Sequence, residues 1–254
     1  MGNWTAAVLD LLFPPRCAFC ERRGVHGVCP ACEKTLPYAE KPLREGAPFG
    51  RCVSPLRYEG AVRQSLLRFK FRGGQSAAEG YAQLMARVIA GEFPGEFDCI
   101  TYVPVSEQRR RQRGYDQAQR IAVELGKLWD TPPQTLLRKI FDNRPQSGIT
   151  SREERKGNVL GVYEAADTEH IQGARVLLVD DIITTGATLG ECVRVLKAAG
   201  AASVVCATVA SAVYEEDKKA TAVEQKEAKP RIKIRIMLLQ SGFIAGIIYL
   251  AILQ

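Results

Sequence analysis

The sequence predicts an α/β fold in which a mainly parallel sheet is flanked by helices, with a small cysteine-rich module at the amino end. Apolar runs alternate with amphipathic stretches over residues 51–212, as a parallel sheet with crossover helices requires. The first fifty residues have little periodic pattern, but they hold four of the eight cysteines. A chain of 254 residues is long enough for one α/β core with small appendages.

The first part of the α/β region predicts two helices with a buried strand between them. The first helix has apolar residues at helical spacing: Ala78, Tyr81, Met85, Val88 and Ile89. Residues 99–105 (CITYVPV) then form a continuous apolar run of strand length. The second helix repeats the helical spacing: Ala118, Ile121, Ala122, Leu125 and Trp129.

The second part predicts a central strand, a helix and one more strand. The strand covers residues 175–181 (RVLLVDD) and ends in two carboxylates, and Gly200 is well placed to end the helix over 187–199. Residues 203–210 form the last strand. Ligands of open α/β sheets bind at the carboxyl ends of the strands. We therefore expect Val105 and the pair Asp180–Asp181, which lie at two such ends, to face one crevice.

The strongest chemical motif is the segment VDDIITTGAT at residues 179–188, between the central strand and the next helix. At the start of a helix, unpaired N–H groups and the helix dipole attract anions. Glycine lets the backbone approach a phosphate closely, and threonine hydroxyls donate further hydrogen bonds. The residues of this turn are Thr184, Thr185, Gly186, Ala187 and Thr188. Because carboxylates repel a phosphate, Asp180 and Asp181 are expected to accept hydrogen bonds from sugar hydroxyls, so the segment predicts a ribose phosphate site.

Other interpretations of this segment fit less well. Two acidic residues after an apolar strand also occur as a plain polar strand end or helix cap. A P-loop is excluded because no GK[ST] follows the glycine, and a dinucleotide-binding turn is excluded because there is no GxGxxG.

A basic segment follows the earlier strand. Val105 and Ser106 end that strand, and four arginines follow within five positions: Arg109, Arg110, Arg111 and Arg113. We interpret this segment as a loop that binds pyrophosphate together with Mg²⁺, or alternatively nucleic-acid phosphates or solvent alone. Lys70 and Arg72 form a second basic patch with the same alternatives.

The four amino-terminal cysteines form two CxxC pairs, Cys17 with Cys20 and Cys29 with Cys32. Two such pairs complete a tetrahedral site with four sulfur ligands, which predicts a structural Zn²⁺ that leaves no position for water. Redox-active pairs are the alternative. His26 lies between the pairs, and we expect it at the surface rather than on the metal.

Composition restricts the class of protein and its compartment. Hydrophobic residues make up 46% and charged residues 25%, which excludes a disordered chain. The net charge of +7 suits a phosphate-rich ligand or nucleic acid without choosing between them. The start of the chain lacks the basic region of a secretory signal, so we expect a cytoplasmic protein with reduced cysteines. The four cysteines outside the pairs are expected to be small buried hydrophobic residues.

Four stretches of the sequence together resemble the ComF family, named for competence protein F. They are YEGAVRQSLLRFKFRG, VPVS with RRRQRGYDQAQRIA, QSGITSREERKGNVLGVY and VLLVDDIITTGATL, in the family's order and spacing. The last also resembles the motif with which type I phosphoribosyltransferases bind 5-phosphoribosyl-1-pyrophosphate (PRPP). The resemblance implies a type I phosphoribosyltransferase fold with a zinc module, and a role in DNA uptake during natural transformation. It implies that Asp180 and Asp181 hold the ribose hydroxyls, and that residues 184–188 hold the 5-phosphate.

The third stretch matches a flexible segment that folds over the ligand in this family. The matching residues are Gln146, Arg152, Arg155 and Asn158. A polar, glycine-containing composition suits a mobile cover, and it equally suits an ordinary long loop.

Four regions follow from these patterns. We predict a zinc module over residues 1–50, a phosphoribosyltransferase-like domain over 51–212, a charged linker over 213–235 and an apolar tail over 236–254. The tail is preceded by basic residues and is just short of a bilayer core, so one interpretation is a membrane anchor. A divergent tail or a helix for a partner protein is the alternative.

Three functions are compatible with these motifs. The first is a PRPP-binding protein that assists DNA uptake, with single-stranded DNA and uptake proteins as partners. The second is an active phosphoribosyltransferase of nucleotide salvage or amide transfer, in which a nucleophile displaces pyrophosphate from PRPP with the help of Mg²⁺. The third is a regulator that senses PRPP without turnover. No residue in the sequence identifies an acceptor substrate.

Overall fold

A computed structural model describes residues 14–71, 76–141 and 161–212. The helices of this part of the chain are α1 (Pro30–Glu33), α2 (Gly60–Phe71), α3 (Ala77–Glu92), α4 (Glu107–Arg113), α5 (Gln117–Trp129), α6 (Thr168–Ile171) and α7 (Ala187–Ala198). Its strands are β1 (Leu43–Gly46), β2 (Gly50–Val53), β3 (Leu56–Arg57), β4 (Cys99–Tyr102), β5 (Leu137–Lys139), β6 (Tyr163–Ala165), β7 (Arg175–Ile183) and β8 (Ser203–Ser211).

The main sheet has the order β1-β2-β8-β7-β4, and β3 also pairs with β8. Its strands are parallel except for β1, which forms an antiparallel hairpin with β2. The strands β5 and β6 form a separate two-stranded antiparallel sheet. The predicted α/β class with a mainly parallel sheet is therefore confirmed.

Alternate residues of the central strand β7 pack into two different cores. Leu177 and Val179 belong to a core with α2, α3, α5 and the cysteine-rich module, whereas Val176 and Leu178 belong to a core with α7 and the small sheet. Successive side chains of a strand point to opposite faces, so a strand buried on both faces is apolar throughout. This explains why the run RVLLV shows no polar alternation.

The helices and strands that were predicted lie at the predicted positions but differ in extent. The strand β4 ends at Tyr102 and not at Val105. The strand β7 continues two residues past Asp181, because Ile182 and Ile183 still pair with β8. The basic segment after β4 is a loop only as far as Ser106, and residues 107–113 form the helix α4. The interpretation of this whole segment as a loop was wrong in that respect, since Ser106 caps a helix by accepting a hydrogen bond from the Arg109 N–H at 3.3 Å.

Several predictions fall outside the described residues. These are Arg72, the covering segment with Gln146, Arg152, Arg155 and Asn158, and the linker and tail from residue 213 onward. No helix in the described ranges combines the length and apolar character needed to span a bilayer.

Candidate functional site

The four cysteines of the two CxxC pairs converge at the amino end. The Sγ atoms of Cys17, Cys20, Cys29 and Cys32 all lie within 4.8 Å of one another. A tetrahedral zinc site with Zn–S bonds of about 2.3 Å needs sulfurs about 3.8 Å apart, so the arrangement fits the metal. His26 is not in this group and lies 3.4 Å from Glu79 with more than half of its side chain exposed, as expected for a surface histidine.

The ionisation of the four cysteine thiols favours a bound cation. Burial raises the pKa of Cys17, but hydrogen bonds from the backbone of Cys20, Cys29 and Phe19 outweigh it and lower this pKa to about 6. At Cys32, burial and the neighbouring sulfurs together raise the pKa of the thiol well above its usual range. A bound Zn²⁺ would hold all four as thiolates, because it removes the repulsion that otherwise keeps Cys32 protonated.

The remaining four cysteines are buried in one apolar core. Cys52, Cys192 and Cys206 are fully buried, and Cys99 is 7% exposed. All four are free thiols within this core, in agreement with the sequence-based prediction.

The turn between β7 and α7 is set by Gly186. This residue has φ +75°, a left-handed conformation that favours glycine, and it occupies the cap position of α7. A Cβ atom here would overlap the ring of Phe49, which lies in the turn between β1 and β2. Thr185 Oγ1 accepts a hydrogen bond from the Ala187 N–H at 3.3 Å. The backbone thus turns sharply at the start of α7, whose first N–H groups have no carbonyl partner within the helix.

The two carboxylates before this turn have different surroundings. Asp181 is 7% exposed, and its Oδ2 atom lies 2.6 Å from the ammonium of Lys70. Asp180 is half-buried and accepts a hydrogen bond from the Asp181 N–H at 2.8 Å. Burial and the negative charge of Asp181 raise the pKa of Asp180 well above its usual range, although that hydrogen bond and Lys70 lower it.

Lys70 belongs to the site that the two carboxylates define. It lies at the end of α2, and its ammonium forms an ion pair with Asp181 in which the lysine side chain is 23% exposed. Burial lowers the pKa of Lys70, but the charges of Asp181 and Asp180 raise it above its usual range. Lys70 therefore stays an ammonium ion and partly neutralises the carboxylate pair.

The basic segment after β4 lies near the same carboxylates. Burial lowers the pKa of Arg113, and the charge of Asp181 offsets this effect only in part. The Arg113 guanidinium also lies 5.0 Å from the centre of the Phe71 ring. Arg110 and Arg111 pair instead with Glu107 on the exposed side of α4. Arg113 is thus half-buried beside Phe71, whereas Arg110 and Arg111 lie on the exposed surface.

Comparisons with known proteins show the family to which the chain belongs. The phosphoribosyl transferase domain family matches residues 110–237, and the double zinc ribbon domain family matches residues 8–53. The DNA utilization protein YhgH of Salmonella typhimurium is 30% identical over 205 residues, which cover 74% of this chain and 86% of that protein. The competence protein ComFC of Bacillus subtilis is 28% identical over 190 residues, which cover 74% of each chain. This chain belongs to the ComF family of phosphoribosyltransferase-domain proteins.

A third relative shares a shorter segment with this ComF-family chain. The competence protein F of Haemophilus influenzae is 30% identical over 104 residues, which cover 41% of this chain and 45% of that protein.

One buried carboxylate beside the candidate site was not predicted from the sequence. Asp116 is 4% exposed and caps α5, where it accepts a hydrogen bond from the Gln119 N–H at 3.1 Å. Its other oxygen accepts from the Val105 N–H at 2.8 Å and so fixes the loop after β4. Burial raises the pKa of Asp116, and the charge of Asp181 adds to this effect. The sequence pattern that could have identified Asp116 is an aspartate, a preferred capping residue, immediately before the amphipathic helix.

Proposed function

We propose that this chain binds PRPP, or a related phosphoribosyl compound, in the crevice at the carboxyl ends of β4 and β7. The observation that carries the proposal is the placement of Asp180 and Asp181 directly before the Gly186 turn at the start of α7. A turn of this kind offers backbone N–H groups to a phosphate, and the adjacent carboxylates accept hydrogen bonds from ribose hydroxyls. The 5-phosphate would occupy the turn of residues 184–188, and Asp181 would face the sugar.

The opposite side of the crevice supports a pyrophosphate in this proposal. Lys70 pairs with Asp181 and supplies a cationic group there, Arg113 ends α4, and Val105 and Ser106 form the loop between β4 and α4. Pyrophosphate carries several negative charges, and Arg and Lys side chains bind such groups strongly. Mg²⁺ would enter with the ligand, since it is usually bound by phosphate oxygens together with one or two carboxylates.

The experiment that tests the proposal is calorimetry with PRPP and Mg²⁺ on the wild-type chain and on Asp181→Asn. Hydrogen bonds to charged groups contribute about 1.5–3 kcal/mol, so the variant should bind about 10- to 100-fold more weakly. Asp98→Asn is the matched control, because Asp98 pairs with Arg175 at 3.0 Å at the other end of β7. Absence of binding by the wild-type chain would refute the proposal, and so would equal affinity of Asp181→Asn.

We propose a role in DNA uptake or use as the biological setting, because the relatives ComFC and YhgH carry names for competence and DNA utilization. Single-stranded DNA and uptake proteins are the proposed partners, and the exposed arginines of α4 are the proposed contact for DNA phosphates. A reducing compartment such as the cytoplasm suits zinc thiolates and free thiols.

Two measurements separate this role from the other functions of a phosphoribosyl site. Single-strand affinity should fall steeply with salt, and the slope should decrease when Arg110 and Arg111 are replaced by alanine. An active transferase would instead release pyrophosphate from PRPP with a base or ammonia as acceptor. A chain that binds PRPP but shows neither effect would be a sensor.

A further inference from the structure

We infer that the zinc module is a positioning element for the phosphoribosyl crevice and that it acts through the helix α2. This inference rests on the proposed function, because it concerns the affinity of the same crevice. Its basis is that three consecutive residues of α2 contact three different parts of the molecule. Arg68 contacts the first CxxC pair, Phe69 contacts Tyr115 beside the arginines of α4, and Lys70 contacts Asp181.

The contact between α2 and the first CxxC pair uses the backbone between the two cysteines. Ser65 Oγ donates a hydrogen bond to the carbonyl of Ala18, and Arg68 Nη2 donates one to the carbonyl of Phe19 at 2.5 Å. Arg68 Nε also lies 3.4 Å from Glu21. These carbonyls lie between Cys17 and Cys20, so their positions depend on the conformation that the metal imposes on this pair.

The neighbouring helix α3 leaves no room for the module to shift. A Cβ atom on Gly80 would lie 2.9 Å from both the Ala18 Cβ atom and the Gly27 carbonyl oxygen. The ring of Phe19 packs edge-on against Tyr81 at 5.8 Å between centroids, and Tyr81 packs in the same way against Phe69 at 5.2 Å. Close-packed contacts of this kind transmit a displacement rather than absorb it.

The carboxyl-terminal end of α2 links the zinc module to the crevice. Phe69 is fully buried, its ring packs against Tyr115 at 5.7 Å, and its carbonyl accepts a hydrogen bond from the Tyr115 hydroxyl. The next residue is Lys70, whose ammonium lies 2.6 Å from Asp181. A change in the position of Arg68 therefore changes the position of Lys70, since both lie within the last turn of one helix.

A second arginine contacts the zinc module from the α/β domain, and its substitution serves as a control. Arg87 of α3 pairs with Glu33 of α1 at 2.6 Å, next to Cys32. Arg87 thus contacts the zinc module from a helix that supplies none of the proposed ligand-binding residues, although its side chain is 64% exposed and that of Arg68 only 22%. If the module only adds stability, the loss of either arginine should affect ligand binding to a similarly small extent.

The experiment is a double-mutant cycle on the full chain, with PRPP and Mg²⁺ as the titrant in calorimetry. Arg68→Ala should weaken binding about 5- to 10-fold, within the usual range of coupling between sites, while zinc analysis still shows one metal per chain. In a Lys70→Met background the same substitution should have less than a 2-fold effect, because Lys70 is the residue through which Arg68 acts. Arg87→Ala should leave the affinity within 2-fold of wild type.

The outcomes separate this inference from the proposed function. A wild-type chain that does not bind the probe refutes the proposed function. A wild-type chain that binds, with Arg68→Ala within 2-fold of it or equally damaging in both backgrounds, refutes the inference alone. If Lys70→Met binds too weakly to measure, Arg68→Lys decides, because a lysine can still donate to the Phe19 carbonyl. It should then restore most of the affinity, and binding as weak as that of Arg68→Ala overturns the inference.

Discussion

The ammonium of Lys70 and the carboxylate of Asp181 form a largely buried ion pair at 2.6 Å, which joins the end of α2 to the end of β7. A ligand that donates ribose hydroxyls to Asp181 must share this carboxylate with Lys70. Before a ligand binds, the Lys70 ammonium therefore offsets the desolvation cost of the buried Asp181 carboxylate. It also places a cation beside any phosphate that enters the site.

The first prediction concerns the stability of this ion pair. Lys70→Met leaves the Asp181 carboxylate without its cation, and removal of one partner of a buried pair costs about 3–5 kcal/mol. Because both side chains retain some exposure, we expect about 2–3 kcal/mol less free energy of unfolding in urea titrations. Lys70→Met combined with Asp181→Asn should recover most of the loss.

A surface pair serves as the comparison for this prediction. Lys127 pairs with Glu124 at 2.9 Å with its side chain mostly exposed, so Lys127→Met should cost less than about 1 kcal/mol. Equal losses from Lys70→Met and Lys127→Met would contradict the importance of the buried pair.

The crevice itself could be predicted from sequence, because the rule for open α/β sheets needs only the order of strands and the residues that follow them. Asp180, Asp181 and the loop at Val105 do lie at neighbouring strand ends, since β4 pairs directly with β7. The zinc cluster could be predicted for a similar reason: the spacing of the four cysteines determines the chemistry before any fold is known.

The role of Lys70 could not be predicted, because its contact with Asp181 depends on how α2 packs across the sheet. The helix α4 was missed for a different reason. Its sequence EQRRRQR has no apolar face, so periodicity is uninformative, and its limits are set by the cap at Ser106 and the left-handed Gly114 at φ +80°. The capping residues were visible in the sequence, but arginine-rich composition alone suggested a loop.

The second prediction concerns the pH dependence of Asp180. Burial raises its pKa above the usual 3.8, so ionisation destabilises the folded chain. This destabilisation is absent below the unfolded pKa, appears as the pH rises above it and is complete above the folded pKa. Asp180→Asn should therefore raise the melting temperature at pH 7, by about 2–4 °C for each kcal/mol, and the difference should vanish near pH 3.

Ligand binding should move in the opposite direction in this variant. If Asp180 accepts a ribose hydroxyl, Asp180→Asn should bind ribose 5-phosphate more weakly while it melts at a higher temperature, as is common for functional carboxylates. A variant that is both less stable at pH 7 and unchanged in affinity would contradict the assignment.

The third prediction concerns Asp116 and the loop after β4. Asp116→Ala removes the cap of α5 and the hydrogen bond to the Val105 N–H, so we expect a loss of about 2 kcal/mol in unfolding free energy. We also expect weaker binding of PRPP, because the loop would no longer be fixed.

Asp167→Ala is the control, since Asp167 caps α6 at the exposed surface by accepting a hydrogen bond from the His170 N–H at 3.1 Å. It should lower stability slightly and leave affinity unchanged. Similar affinities of the two variants would show that the Asp116 loop takes no part in binding.

The fourth prediction separates the two constraints on Gly186. Gly186→Ala forces alanine into φ +75° and places its Cβ atom against the ring of Phe49. Gly173 has the same φ of +75°, but no atom lies within 4 Å of the position that a Cβ atom would take there, so Gly173→Ala carries the conformational cost alone, about 1–2 kcal/mol. Gly186→Ala should therefore lower the free energy of unfolding in urea more than Gly173→Ala does.

Gly186→Ala should also weaken ribose 5-phosphate binding by at least about 10-fold, because one lost charge-assisted hydrogen bond at the start of α7 contributes about 1.5–3 kcal/mol. In the Phe49→Ala background, Gly186→Ala should cost only the φ term, because the ring that its Cβ atom would meet is absent. If Gly173→Ala and Gly186→Ala prove equal in stability and both bind the sugar phosphate normally, the turn before α7 is not the phosphate site.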